Sequence, residues 1–182
     1  METYYGFVKK LVDAFENSCL DYAFTGALAV SFFGIPRTTT DVDVLISIDG
    51  EDDFEVKVVS ALRQAGLEVE ERKITTALTS GYQIATFKDK TSPFTVDIIF
   101  SKGKLDKKSG KIEGLTAFFQ SPEGLIAAKL RMIKATLPPE RSVKDKEDIK
   151  SILAFAKVNM TTVKKQAQED NTYQIFENLK NE

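Results

Sequence analysis

Tyr22-Ala23-Phe24-Thr25-Gly26-Ala27, followed after thirteen residues by Asp41-Val42-Asp43-Val44-Leu45-Ile46-Ser47-Ile48, holds the most informative pattern in the chain. Residues 22–25 are too short and too rich in aromatic and β-branched side chains for a helix, and they run into Gly26. They predict a strand, a tight turn, and then a helix of small residues over 27–33, capped by Gly34 and kept from resuming by Pro36. Free N–H groups at the start of that helix are able to face a phosphate. After Arg37-Thr38-Thr39-Thr40 comes a strand over 41–48, whose first half alternates acidic and apolar residues. On a strand, Asp41 and Asp43 project from one face while Val42 and Val44 enter the core. Two adjacent carboxylates raise each other's pKa, and a divalent ion with oxygen ligands commonly relieves that cost. A third acid, Asp97, interrupts the apolar run Phe94-Thr95-Val96-Asp97-Ile98-Ile99-Phe100. If its strand lies beside the first, three carboxylates meet on one sheet, a ligand set for one or two Mg²⁺ ions bridging a phosphate substrate. Otherwise an isolated Asp-x-Asp pair is a solvated strand end or a turn.

Outward from this stretch, Tyr4, Phe7, Val8, Leu11, Val12 and Phe15 predict an amphipathic helix over 4–19. Asp49 or Asp52 is placed to cap a helix ending near Ala65, with Phe54, Val58, Val59 and Leu62 on one face and Gly66 as its stop. Period-two patterning predicts strands over 67–71, 82–87 and 94–100, with 88–93 as a hairpin loop. Residues 101–114 read as a polar loop, whose lysines at 102, 104, 107, 108 and 111 are either a contact for an RNA backbone or a solvated surface. Ser121-Pro122-Glu123 starts a helix, with Ser as N-cap and Pro at the first helical position. Pro138 and Pro139 end it, and further helices are expected from about Val143, over 162–168 and over 172–180. The expected class is α+β: a mixed β-sheet flanked by helices in residues 1–118, with a helical region, 119–182, packed on it.

Composition narrows the chemistry. The chain of 182 residues has no histidine and one cysteine, Cys19, so Ser-His-Asp and Cys-His nucleophiles, histidine-ligated zinc, CxxC pairs and intrachain disulfides are excluded. Carboxylates, lysines, arginines, hydroxyls or a hard metal ion must do any work. A net charge of −2 gives no support for a generally basic nucleic-acid-binding surface. No run approaches the roughly 20 apolar residues of a membrane span, and METYYGFVKK lacks a signal-peptide pattern. The expectation is a cytoplasmic protein with no membrane association.

Together these residues resemble the nucleotidyltransferase superfamily, whose small members include kanamycin- and lincosamide-type and minimal nucleotidyltransferases. That signature is an apolar residue, Gly, then Gly or Ser, a spacer, and Asp-apolar-Asp, with a third acid on a later strand. Phe24-Thr25-Gly26-Ala27, Asp41-Val42-Asp43 and Asp97 match it, over about residues 20–100. The string Arg37-Thr38-Thr39-Thr40-Asp41-Val42-Asp43 is similar to the form found in the subgroup related to the AbiEii toxins of abortive-infection and toxin–antitoxin systems. So are Ser121-Pro122-Glu123 with Lys129, and Arg141 with Lys144-Asp145-Lys146-Glu147-Asp148.

The resemblance implies a nucleotidyltransferase that moves an NMP from an NTP, such as ATP, to a hydroxyl on an RNA 3′ end (tRNA included), a protein or a small molecule. It implies Mg²⁺ or Mn²⁺ held by Asp41, Asp43 and Asp97, a triphosphate contact by Lys129, and Asp145 orienting that lysine or a neighbouring group. Gly26, Ala27, Arg37, Thr40 and Lys144 become nucleotide contacts, and an antitoxin or toxin a partner. Ala27 departs from the family pattern, since alanine allows backbone approach but supplies no hydroxyl. The alternative is therefore a catalytically degenerate protein of the same fold that binds a nucleotide or a partner. A metal phosphohydrolase is less well supported, because the chain has neither a DxDxT motif nor histidine.

Overall fold

Val42, Val44 and Ile46, and beside them Val96, Ile98 and Phe100, are 0–1% exposed, so two strands share a fully buried apolar face. Burial of each such side chain contributes about 1.5–3 kcal/mol, which makes this strip the thermodynamic centre of the sheet. The structure is a computed structural model and describes residues 2–48, 53–81 and 83–181. The proposed caps Asp49 and Asp52 and the strand residue Tyr82 lie outside the described residues.

In chain order the elements are α1 (Tyr4–Asn17), β1 (Tyr22–Thr25), α2 (Gly26–Phe33), β2 (Asp41–Ser47), α3 (Phe54–Gln64), β3 (Leu67–Glu68), α4 (Glu71–Thr79), β4 (Ile84–Asp89), β5 (Thr95–Ser101), β6 (Lys107–Ile112) and β7 (Leu115–Gln120). There follow α5 (Pro122–Ala135), a 3₁₀ turn (Pro139–Ser142), α6 (Val143–Phe155), α7 (Met160–Glu169) and α8 (Tyr173–Asn181). Among the described residues seven strands form one mixed sheet, in the order β3-β4-β5-β2-β1-β7-β6. β2 is central, parallel to β5 and antiparallel to β1, and β1 is parallel to β7. None of the helices described is long and apolar enough to cross a membrane.

The chain divides into two units. One comprises Met1–Leu28 and Thr38–Gln120, the other Ala29–Arg37 and Ser121–Glu182. In the first, α1 is capped by Thr3, whose hydroxyl accepts the Gly6 N–H at 3.0 Å, and it stacks Phe7 on Phe94 and sets Phe15 against Tyr22. In the second, the Ser121 hydroxyl caps α5 by accepting the Gly124 N–H at 3.0 Å, and α5 packs on α6, α7 and α8. The buried Glu123 accepts the Asn159 N–H at 2.6 Å, tying the start of α5 to the start of α7.

Three sequence expectations are corrected. The strand expected over 67–71 is only β3, because α4 begins at Glu71; the Arg63–Glu71 ion pair at 2.7 Å holds that helix to α3. The hairpin loop expected over 88–93 begins later, since Lys88 and Asp89 end β4. The polar loop expected over 101–114 contains β6, paired antiparallel with β7 through the two-residue turn Glu113-Gly114. Both turn residues have positive φ, +48° and +82°, as the tightest hairpins require. β6 is an edge strand and carries Lys107, Lys108 and Lys111, and charged residues on an edge disfavour pairing with a second chain.

Candidate active site

Strand alternation leaves Asp41 exposed and Asp43 half-buried on the face opposite Val42 and Val44. Register then sets the neighbours of Asp43. Asp97 of β5 is its partner on one side and Thr25 of β1 on the other, while Thr86 of β4 is the partner of Asp97. Directly paired residues point to the same side of a sheet, so Thr86, Asp97, Asp43 and Thr25 form a polar row across four strands. The Thr25 hydroxyl carries the row to β7 by donating to Gln120 Oε1 at 2.5 Å. A second row, Lys88, Thr95 and Asp41, lies two residues toward the N-terminal end of β2.

Each outer carboxylate is held by a threonine on the neighbouring strand. The Thr86 hydroxyl donates to Asp97 Oδ1 at 2.5 Å, and that of Thr95 to Asp41 Oδ1 at 2.6 Å. Thr40 also donates to Asp41 Oδ1, but at 3.5 Å this is a marginal bond. Asp43 is fixed differently. Gly26 has φ +57°, and a Cβ there would stand 1.9 Å from Asp43 Oδ2 and 2.7 Å from its Cγ. Only glycine permits both the turn and the carboxylate pressed against it. Ala27 follows in the first turn of α2 and is buried.

The donor chemistry suits a hard divalent cation, since carboxylate oxygens are the ligands Mg²⁺ and Mn²⁺ prefer. The register suits it as well, with Asp43 directly opposite Asp97 and Asp41 on the same face. As the side chains stand, however, no group of three or more His, Cys, Asp or Glu among the described residues is placed to hold a metal ion. Asp41 and Asp97 are instead committed to their threonines. The three acids therefore offer a hard cation the right donor type on one face of the sheet, while the outer two carboxylates are hydrogen-bonded to threonines.

In the other unit, Lys129 of α5 donates to Asp145 Oδ1 at 2.8 Å and lies 2.7 Å from Asp148 Oδ2, both carboxylates belonging to α6. Arg37 Nη2 donates to the same Asp148 oxygen at 3.1 Å. Lys129 is 12% and Asp148 6% exposed, so this is a largely desolvated cluster of two cations and two anions. Arg37 is thus engaged by a carboxylate, while Lys144 and Arg141 are exposed. Arg131, two residues past Lys129, turns away and pairs with Asp170 at 2.6 Å.

Sequence reasoning missed Asp148 as the shared acceptor of Lys129 and Arg37. Its signal was available: Asp145 and Asp148 are three apart on a helix and so lie on one face. It also missed Thr86 and Thr95, which become meaningful only once strand register is known.

No protein-family model matches the chain, and no curated protein matches it either. Solved structures do. The antibiotic-resistance factor ANT(2'')-Ia has a TM-score of 0.69 at 13% identity, covering 98% of this chain and 97% of that one. An antigenic nucleotidyltransferase-like protein from Paracoccidioides brasiliensis has a TM-score of 0.64 at 18% identity, covering 93% and 85%. The lincosamide antibiotic adenylyltransferase LnuA, in its lincomycin-bound form, has a TM-score of 0.50 at 14% identity, covering 80% and 96%. At such identities the likeness is one of backbone architecture. The chain has the nucleotidyltransferase fold.

Proposed function

We propose that this protein is a metal-dependent nucleotidyltransferase, which moves an NMP from an NTP to a hydroxyl group of an acceptor. The observation that carries the reading is the register that sets Asp43 opposite Asp97, with Asp41 two residues away on the same face and Gly26 against Asp43. The fold supports NMP transfer in general.

A divalent ion, Mg²⁺ or Mn²⁺, when held by Asp41, Asp43 and Asp97, would neutralise phosphate charge and lower the pKa of the acceptor hydroxyl. The chain's own residues do the rest. Asp97, steadied by Thr86, takes the acceptor proton. The acceptor oxygen forms a bond to the α-phosphorus, the bond from that phosphorus to the bridging oxygen breaks, and pyrophosphate leaves with the electron pair. Gly26 leaves room for the Asp43 carboxylate, and Lys129, positioned by Asp145 and Asp148, is the proposed triphosphate cation. Arg37, Thr40, Ala27 and Lys144 are proposed nucleotide contacts of lesser weight. A toxin–antitoxin partnership is proposed on the Arg37 to Asp43 string together with the Ser121-Pro122-Glu123 and Lys144 to Asp148 segments.

A second reading, a non-catalytic nucleotide- or partner-binding protein of this fold, is favoured by Ala27, which stands where the family pattern has Ser or Gly and supplies no hydroxyl. One experiment separates the two. The purified chain is incubated with each labelled NTP, Mg²⁺ or Mn²⁺, and total tRNA or candidate small acceptors, beside Asp41→Ala and Asp43→Ala. Metal-dependent transfer that both substitutions abolish is expected. For Asp43→Asn, loss of one electrostatic contact should lower the rate by at least about a hundredfold. Tight partner binding without transfer to any acceptor would sink the enzyme reading.

A further inference from the structure

The polar row that holds Asp97 and Asp43 ends on β7. There the residue beside Thr25 is Gln120, since the preceding pair, Phe24 and Phe119, are partners on these parallel strands. Its carboxamide is held one way round. The Thr25 hydroxyl donates to Oε1 at 2.5 Å, so the oxygen faces Thr25 and the NH₂ group is turned away from it. Thr25 is 6% exposed and its one hydroxyl proton is committed to this bond, which leaves it none to give a ligand. Gln120 is half-buried, and its Nε2 makes no hydrogen bond among the described residues and is not a buried atom. An oriented pair of N–H donors therefore stands open at the end of the row, within the first unit.

The surroundings decide what this amide takes. The strand order β2-β1-β7 puts Gln120 on the far side of β1 from the acids, about 10 Å from β2 at the usual strand spacing. Gly26 follows Thr25 directly, so the amide flanks the turn between β1 and α2. Ala27, next in that turn, supplies no side-chain donor. Lys107, the partner of Gln120 on β6, is turned to Asp21 and to the Tyr22 carbonyl, and the row gains no free cation from it. A nucleotide whose α-phosphate lies at Asp43 and Asp97 carries its remaining negative charge away from those carboxylates and toward donors. Glutamine N–H groups are ordinary phosphate contacts, and a hydrogen bond to an ionised oxygen is stronger than one to a neutral oxygen.

We propose that Gln120 is a specificity-determining contact for the outer phosphates of the nucleotide, and that Thr25 positions it. The assignment rests on the transferase reading for where the α-phosphate lies. Gln120→Glu is the decisive variant, because a carboxylate still accepts from Thr25 while both donors are gone. The full chain is titrated, with Mg²⁺ and no acceptor, against fluorescently labelled ATP and, separately, labelled AMP, and polarisation is read. Gln120→Glu should weaken ATP binding at least about tenfold and leave AMP binding unchanged. Thr25→Val, which frees the amide to turn, should weaken ATP binding less, and Thr25→Ser should restore it. Thermal melts accompany each variant, with Gln120→Met replacing the glutamate if that lowers the melting temperature. No binding of ATP by the wild type, ATP binding indifferent to position 120, or equal weakening of ATP and AMP would overturn the proposal. NMP transfer by a chain whose ATP affinity ignores position 120 would sink this assignment and leave the transferase reading standing. Gln120-dependent ATP binding without transfer to any acceptor would do the reverse.

Discussion

Gly26 and Asp43 are locked together at the level of single atoms. Gly26→Ala would force a methyl group into the Asp43 carboxylate at a positive φ, so the carboxylate must move or the turn must open. The expected result is loss of most transfer activity, together with destabilisation of about 1–3 kcal/mol, read as a lowered urea midpoint. An alanine variant with full activity and an unchanged midpoint would show that the contact is dispensable. Asp148 is the other residue on which several side chains depend. Asp148→Asn leaves Lys129 and Arg37 without their shared anion in a largely desolvated cluster. Breaking such a buried ion arrangement costs about 3–5 kcal/mol, so denaturant unfolding should move well below wild type. Rescue by Asp148→Glu would confirm that the charge matters, and an unshifted midpoint for the asparagine variant would contradict it. Of these two contacts, the glycine was legible as a turn residue, whereas its pressure on Asp43 was not. Contact between the start of α2 and a residue of β2 depends on how β1 pairs with β2, which a single sequence does not print.

Among the elements, those legible in advance have a strong period or a chemical stop. α1 shows a continuous apolar stripe, β2 and β5 alternate cleanly, and α5 begins at Ser121-Pro122. The elements that escaped notice lack such signals. α4 buries only Ile74 and Ala77, a stripe too thin to read in a segment crowded with threonine. β6 is lysine-rich and polar, and its partner β7 buries little beyond Ala117 and Phe119. They become strands because β7 pairs with β1 on one side and β6 closes the hairpin on the other. The lysines of β6 have a checkable role. Replacing Lys108 and Lys111 with threonine should raise the β propensity of an unprotected edge, and light scattering should then report concentration-dependent aggregation absent from wild type. If the double variant stays as monodisperse as the parent, edge protection is not what those charges provide.

At the scale of the whole molecule, one buried acid, Asp89, makes stability depend on pH. Burial pushes the Asp89 carboxyl up, but hydrogen bonds from Ser92 and from the Thr91 N–H and hydroxyl, with the Lys10 charge, outweigh it and hold the group below its ordinary value. A depressed carboxylate stabilises the fold fully above its unfolded value of about 3.9, and the contribution is lost as pH falls through the folded value. Lys10 behaves oppositely. Its hydrogen bond to Glu2 raises it against the opposing effect of burial, and Asp89 and Glu2 add further attraction, so its contribution fades only as pH rises above the ordinary lysine range. Thermal melts from pH 6 to pH 2 should therefore fall less steeply for Asp89→Asn than for wild type; parallel curves would refute this. The same site illustrates how information is divided. Amino-acid order determined the elements with strong patterns, the acidic pair on one face of a strand, and the absence of histidine chemistry. Tertiary structure alone decided that Asp97 stands opposite Asp43, that Asp148 joins Lys129 to Arg37, and that a lysine-rich run is a strand. The first group depends on periodicity within one segment, while the second depends on hydrogen-bond register and packing between segments far apart in the chain.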